Sequence, residues 1–162
     1  MRFETAATAV VALYATDPLG VCKKIFLAHA RKDDNVARRL AERLQQCGFD
    51  VWDAQDQIVP GDNWAKKIGA ALDNSDLLLI LLTPGAIKSD GLRRDIEFAI
   101  GSKKYANRVY TVMVGPTFKA QTDIPWILLK LPHMQVESAA EFDAAVDEIQ
   151  ELASSLGSGS HA

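Results

Sequence analysis

Asp76-Leu77-Leu78-Leu79-Ile80-Leu81-Leu82-Thr83-Pro84 is the segment on which the fold turns. Six apolar residues run unbroken between an acid and a Thr-Pro pair. A buried helix segment is the competing reading, but the flanking Asp76 and Pro84 leave too short a run for one. The composition instead fits a central parallel strand covered on both faces. Upstream, Trp64, Ile68 and Leu72 recur at helical spacing behind Asp62 or Asn63 as cap, and Asn74-Ser75 ends that helix. Phe49 to Trp52 reads as a strand, and Gly48 supplies the left-handed stop of the helix before it. That earlier helix carries the stripe Val36, Leu40, Leu44, Cys47 behind Asp33 or Asp34, and the first strand runs from Lys23 to His29.

Downstream, Ser89 or Asp90 opens a helix to about Ser102, and Val109 to Val114 forms a fourth strand. Residues 115–132 read as irregular, punctuated by Pro116, Pro125 and Pro132. A short edge strand at Met134-Gln135-Val136 follows. Ser138, with Glu141 three residues on, then starts a final helix with the stripe Phe142, Val146, Ile149 and Leu152. Strands alternating with helices imply α/β architecture: an open parallel sheet of flavodoxin-like order 2-1-3-4-5 with helices on both faces. A ligand of such a sheet binds outside the carboxyl ends of the strands. Those ends deliver His29-Ala30-Arg31-Lys32, the loop from Asp53 to Asp62, and Thr83-Pro84 with the helix that follows.

Bulk properties bound the possibilities. The 162 residues suit one domain, 48% hydrophobic and 24% charged. A formal charge of −3 with scattered Lys and Arg argues against nucleic acid as a partner. No apolar run is long enough to span a bilayer, so no membrane partner is expected. Cys22 and Cys47 lack the spacing of a disulfide framework or a zinc site, which points to a reduced, cytoplasmic chain without a metal. Residues 1–21 contain the apolar stretch Ala6 to Ala15, but Glu4 and the absence of a cleavage pattern favour an N-terminal extension over a signal peptide. The domain proper is read as 22–156. Gly157-Ser158-Gly159-Ser160-His161-Ala162 reads as a linker or tag scar, with a sensor or effector domain expected on the C-terminal side.

Four blocks in order, Ile25-Phe26-Leu27-Ala28-His29, Phe49-Asp50-Val51-Trp52, Ile58-Val59-Pro60-Gly61-Asp62-Asn63-Trp64, and Leu77–Pro84 with Arg93-Arg94-Asp95-Ile96-Glu97-Phe98-Ala99, resemble a bacterial Toll/interleukin-1 receptor (TIR) domain. TIR domains are of two kinds, NAD-cleaving enzymes and assembly modules. In the enzymes, the family pattern has a Trp and, four residues on in the same helix, a catalytic Glu. Those positions fall here on Gly91 and Asp95, and both depart from the pattern. Asp95 keeps the carboxylate on a side chain one methylene shorter, whereas Gly91 removes a ring. Asp95 flanks the buried stripe Leu92, Ile96 and Ala99 on Gly91's side, while Glu97 points away. Asp95 is therefore the candidate catalytic residue and Glu97 the alternative. On residues alone, Asp95 also fits a solvated helix acid or a partner of Arg31, and Glu97 a partner of Arg93.

The resemblance further implies that Arg31 faces the nucleotide pyrophosphate and that His29, Ala30, Asp53, Thr83 and Gly91 surround the substrate. His29 equally fits a hydrogen-bonded structural histidine. Asp53 follows Trp52 directly, and Ala54 stands where the family's acid would align. The loop carrying Ile58, Val59, Pro60, Gly61, Asp62 and Asn63 matches the family's BB loop, implying TIR–TIR self-association. Trp52 and Trp64 read as packing aromatics, and Trp126 fits either a cover for the sheet or a contact for another subunit. The implied activity is an NAD+ nucleosidase, a hydrolase or cyclase of bacterial antiphage defence, with NAD+ as substrate and no cofactor. A non-catalytic interaction module is the alternative, and a nucleoside-processing enzyme on a similar sheet is a third reading.

Overall fold

The computed structural model describes residues 24–53, 59–105, 107–115 and 126–159. Five strands, β1 (Lys24–Ala28), β2 (Asp50–Asp53), β3 (Leu77–Leu82), β4 (Val109–Val114) and β5 (His133–Val136), form one sheet. All neighbours pair in parallel, in the order β2-β1-β3-β4-β5. The helices are α1 (Asp34–Gln46), α2 (Trp64–Asn74), α3 (Asp90–Ile100), α4 (Trp126–Lys130) and α5 (Phe142–Gly159). The expected extension 1–21, Ala54 and Ile58 lie outside the described residues.

The period-two geometry of β3 sorts its six buried residues onto two cores. Leu77, Leu79 and Leu81 face Leu40 and Leu44 of α1 and Phe142, Val146 and Ile149 of α5. Leu78, Ile80 and Leu82 face Ile68 and Leu72 of α2, Leu92 and Ile96 of α3, and Leu128 of α4. Burial on both faces is why this strand reads as an unbroken apolar run rather than an alternating one.

Local chemistry sets the element ends. Asn63 caps α2 by accepting from the Lys66 amide at 3.1 Å, and Ser89 caps α3 by accepting from Leu92. Gly48, at φ 94°, ends α1 as its composition implies. Pro60 and Gly61 form a turn closed by the Asp62 amide on the Val59 carbonyl, and Gly61, at φ 97°, occupies the position that needs left-handed backbone.

Several expectations are corrected. Asp33 precedes α1 but makes no side-chain cap, because its carboxylate accepts instead from Thr83 Oγ1 at 2.7 Å. Ala37 joins the buried face of α1, where Val36 and Cys47 of the expected stripe pack half-buried against the core. Trp126 to Lys130 is a short helix within the segment expected to be irregular, and Trp126 is 70% exposed, so it does not cover the sheet. Glu141 accepts from the Glu137 amide, not from Ser138, whose own hydroxyl accepts from Ala140. Ala153 joins the buried stripe of α5, with Leu152 packed half-buried against the same core, and the helix runs to Gly159. Among the described residues, no helix is long and apolar enough to cross a membrane.

Candidate active site

At the carboxyl end of the sheet, a cavity of about 240 Å3 opens between β1, β2 and the first turns of α2 and α3. Its lining is Leu27, His29, Arg31, Asp53, Trp64, Ser89, Gly91, Leu92 and Asp95. The topology explains this gathering. Parallel strands end on one edge, and the crossover helices returning from that edge begin there, so strand ends and first helical turns meet.

His29 follows β1 and is almost completely buried. Its Nδ1 lies 2.8 Å from the Ala30 carbonyl, and its Nε2 lies 2.8 and 2.9 Å from the two Asp53 oxygens. A carbonyl and a carboxylate only accept, so both ring nitrogens donate, which is the hydrogen-bonding state of an imidazolium. Burial opposes that charge, but the hydrogen bond and charge of Asp53, the Ala30 carbonyl and Asp34 outweigh it, raising the His29 pKa above its usual 6.5. The pair gives the cavity floor a fixed positive and a fixed negative group. His29, Asp34 and Asp53 offer ligand atoms within 4.8 Å of one another, yet both His29 nitrogens are engaged and Asp34 pairs with Arg38. Within that cluster His29 and Asp53 are hydrogen-bonded, and Asp34 adds its charge.

Asp95 lies in the second turn of α3 and is 6% exposed. Its Oδ1 is buried without a hydrogen-bond partner among the described residues. Burial raises its pKa to about 7, against the lowering pull of Arg94 and His29. A buried carboxyl left incompletely satisfied is costly, and it is commonly retained where a ligand completes it. Glu97 is exposed and does not line the cavity.

Of the residues singled out in the sequence, His29, Arg31, Asp53, Gly91 and Asp95 come together in the cavity. Ala30 and Thr83 do not line it. The Ala30 carbonyl is spent on His29 and on the Asp33 amide, and the Thr83 hydroxyl on Asp33. Lys32 joins the same brace, donating from Nζ to the Pro84 carbonyl at 2.7 Å. Trp64 and Ser89 were not anticipated as lining residues. Trp64 shares a helical face with Ile68 and Leu72, but it sits in the first turn of α2, beyond the core, and turns to the cavity. Its place immediately after the Pro60–Asn63 turn is the signal that could have identified it.

Of the expected assembly loop, Val59 to Asn63 is described. Val59 is 57% exposed, while Asp62 accepts from the Val59 amide at 2.9 Å and pairs with Lys67 at 2.7 Å.

Residues 25–150 match the TIR domain family (TIR_2). Over 85 residues the chain is 28% identical to the 2′ cyclic ADP-D-ribose synthase BtTIR of Bacteroides thetaiotaomicron, covering 52% of this chain and 30% of that protein. Over 74 residues it is 34% identical to the 2′ cyclic ADP-D-ribose synthase AbTIR of Acinetobacter baumannii, covering 45% and 28%. The chain thus spans under a third of the length of each relative. The fold is shared with a metazoan TIR-STING receptor from C. gigas, at TM-score 0.66 and 18% identity over 85% of this chain and 41% of that one. It is also shared with the CMP N-glycosidase BcmB of Clostridium botulinum, at TM-score 0.51 and 16% identity over 78% and 99%. With the match running from the first strand into the last helix, the chain belongs to the TIR domain family.

Proposed function

We propose that the chain is an NAD+ nucleosidase, cleaving the nicotinamide–ribose bond with Asp95 as its catalytic carboxylate. The observation that carries this reading is the buried Asp95 oxygen, unpartnered among the described residues, in a cavity it shares with His29 and Arg31. The names of the two bacterial relatives, both synthases of a cyclised ADP-ribose, support the substrate class.

Breaking the C1′–N bond sends the bonding electrons to the pyridinium nitrogen, so nicotinamide leaves neutral and needs no general acid. Positive charge develops on the ribose, as in glycoside hydrolysis generally. Asp95, ionised, stabilises that charge from the cavity wall. Water then completes hydrolysis to ADP-ribose, or a hydroxyl of the same molecule closes a ring. One proton is released in either case. Arg31 is suited to the pyrophosphate, which a guanidinium can hold bidentately. His29 and Asp53 hold the cavity floor rigid. NAD+ serves as substrate, and no cofactor is needed.

At about 240 Å3 the cavity is smaller than the roughly 300–1,000 Å3 typical of sites enclosing a drug-sized ligand. It suits the nicotinamide riboside end of a dinucleotide, with the remainder covered on self-association. Assembly through the Val59–Asn63 turn, a sensor or effector domain on the C-terminal side and a role in cytoplasmic antiphage defence complete the reading. The second reading is a non-catalytic TIR interaction module, favoured by Gly91 and by the shorter carboxylate of Asp95. Mass spectrometry of NAD+ incubated with concentrated protein separates the two. Nicotinamide with ADP-ribose or a cyclic isomer supports the enzyme, and intact NAD+ at every protein concentration supports the module.

A further inference from the structure

Among the described residues, three apolar side chains line the cavity, and they are not alike. Leu27 and Leu92 are each 1% exposed and belong to the core, whereas Trp64 is 36% exposed. A solitary exposed aromatic is ordinary on a protein surface. This one is set apart by its surroundings. It borders the same small cavity as Asp95, and the Arg94 guanidinium already lies over its ring, 5.1 Å from the centroid, without itself lining the cavity. Across the lining, Gly91 contributes no side chain, and a Cβ built there would meet nothing nearer than Ser89 Oγ at 3.9 Å. The cavity therefore pairs an indole with a bare helical turn and a carboxylate whose Oδ1 lacks a partner among the described residues. An indole face attracts cations more strongly than other aromatic faces do.

We propose that Trp64 is the specificity-determining wall of this site, stacking on a flat cationic ring while Asp95 answers its charge across the slot left open by Gly91. The inference rests on the NAD+ reading for its substrate, since the pyridinium of NAD+ is such a ring. A neutral aromatic base of the same size gains the stacking but not the cation–π attraction. The contact is also strongest before the reaction. When the C1′–N bond breaks, the charge leaves the ring for the ribose, so Trp64 holds substrate more tightly than product and loosens its grip on neutral nicotinamide. Its contribution consequently falls on substrate binding rather than on the chemical step.

Two measurements on the intact chain test this. In steady-state cleavage of NAD+, Trp64→Ala raises KM about 3- to 30-fold and leaves kcat unchanged or higher, whereas Trp64→Phe recovers most of the loss in affinity. In solution NMR, the Trp64 indole N–H resonance, identified by its absence in Trp64→Phe, shifts saturably with N-methylnicotinamide cation and much less with neutral nicotinamide. A clamp that only ties α2 to α3 through Arg94 would lower thermal stability in Trp64→Ala and leave KM untouched, which overturns the proposal. An indole resonance that responds equally to cation and neutral ring, or to neither, overturns it as well. If the wild-type chain releases no nicotinamide, the NAD+ reading has failed, yet the resonance titration still decides whether Trp64 forms a cation slot.

Discussion

Asp95 and His29 are the two cavity residues whose surroundings shift their titration, and both titrate upwards. Asp95 carries a pKa of about 7 where an unfolded aspartate titrates near 3.8, so the folded chain binds more protons between those values. Its contribution to stability is full below pH 3.8 and is lost as pH rises through 7. At about 1.36 kcal/mol per unit, the loss is on the order of 2–4 kcal/mol. Asp95→Asn removes the buried charge, so thermal unfolding across pH 5 to 8 is expected to show a variant that gains on the wild type as pH rises. His29 has the same sign, its stabilisation present below pH 6.5 and lost above its raised pKa. Because removing one member of a buried pair strands the other charge, Asp53→Ala should cost about 3–5 kcal/mol near pH 6 in denaturant unfolding. If the Asp95 carboxylate must be ionised for catalysis, the same variant series should show activity rising through about pH 7 in the wild type. Asp95 was singled out through the TIR resemblance, with the α3 wheel favouring it over Glu97, and Arg31 through the same resemblance; the structure places both beside the cavity. The His29–Asp53 bond was not legible in the sequence, because no spacing rule connects residues on neighbouring strands until the register is known. Trp64 was missed because helical periodicity assigned it to the core, and periodicity cannot say where the core ends.

At the element scale the sequence spoke most clearly where burial is two-sided. The β3 run and the capped helices α2 and α3 were found with nearly their observed bounds. The Trp126–Lys130 turn of helix was hidden between prolines, and the cap expected at Asp33 was lost to a tertiary contact with Thr83. Such contacts depend on residues 50 positions apart, which local chemistry does not encode. Two glycines give opposite expectations. Gly69 is inside α2 with nothing within 4 Å of an added Cβ, so Gly69→Ala should stabilise by roughly 0.5–1 kcal/mol in denaturant unfolding. Gly115 ends β4 at φ +126°, where a Cβ would stand 3.1 Å from Pro84 Cδ. Gly115→Ala should therefore destabilise by about 1–3 kcal/mol, since the backbone conformation and the close ring both oppose a side chain.

For the whole molecule, the strand order places every candidate group on one edge, and the cavity there is too small to enclose a dinucleotide by itself. The proposed enzyme would be completed by self-association, and its activity should then rise more steeply than linearly with protein concentration. Fold class and sheet order were readable from alternating strands and helices, whereas the cavity's volume depends on packing that no linear pattern records. The decisive measurement is nicotinamide release from NAD+ at high protein concentration by the wild type, Asp95→Ala and Glu97→Ala in parallel. Release by the wild type and by Glu97→Ala, abolished in a folded Asp95→Ala, is the expected result. Release that survives in Asp95→Ala, or none from the wild type even when assembly is forced by crowding, would contradict it.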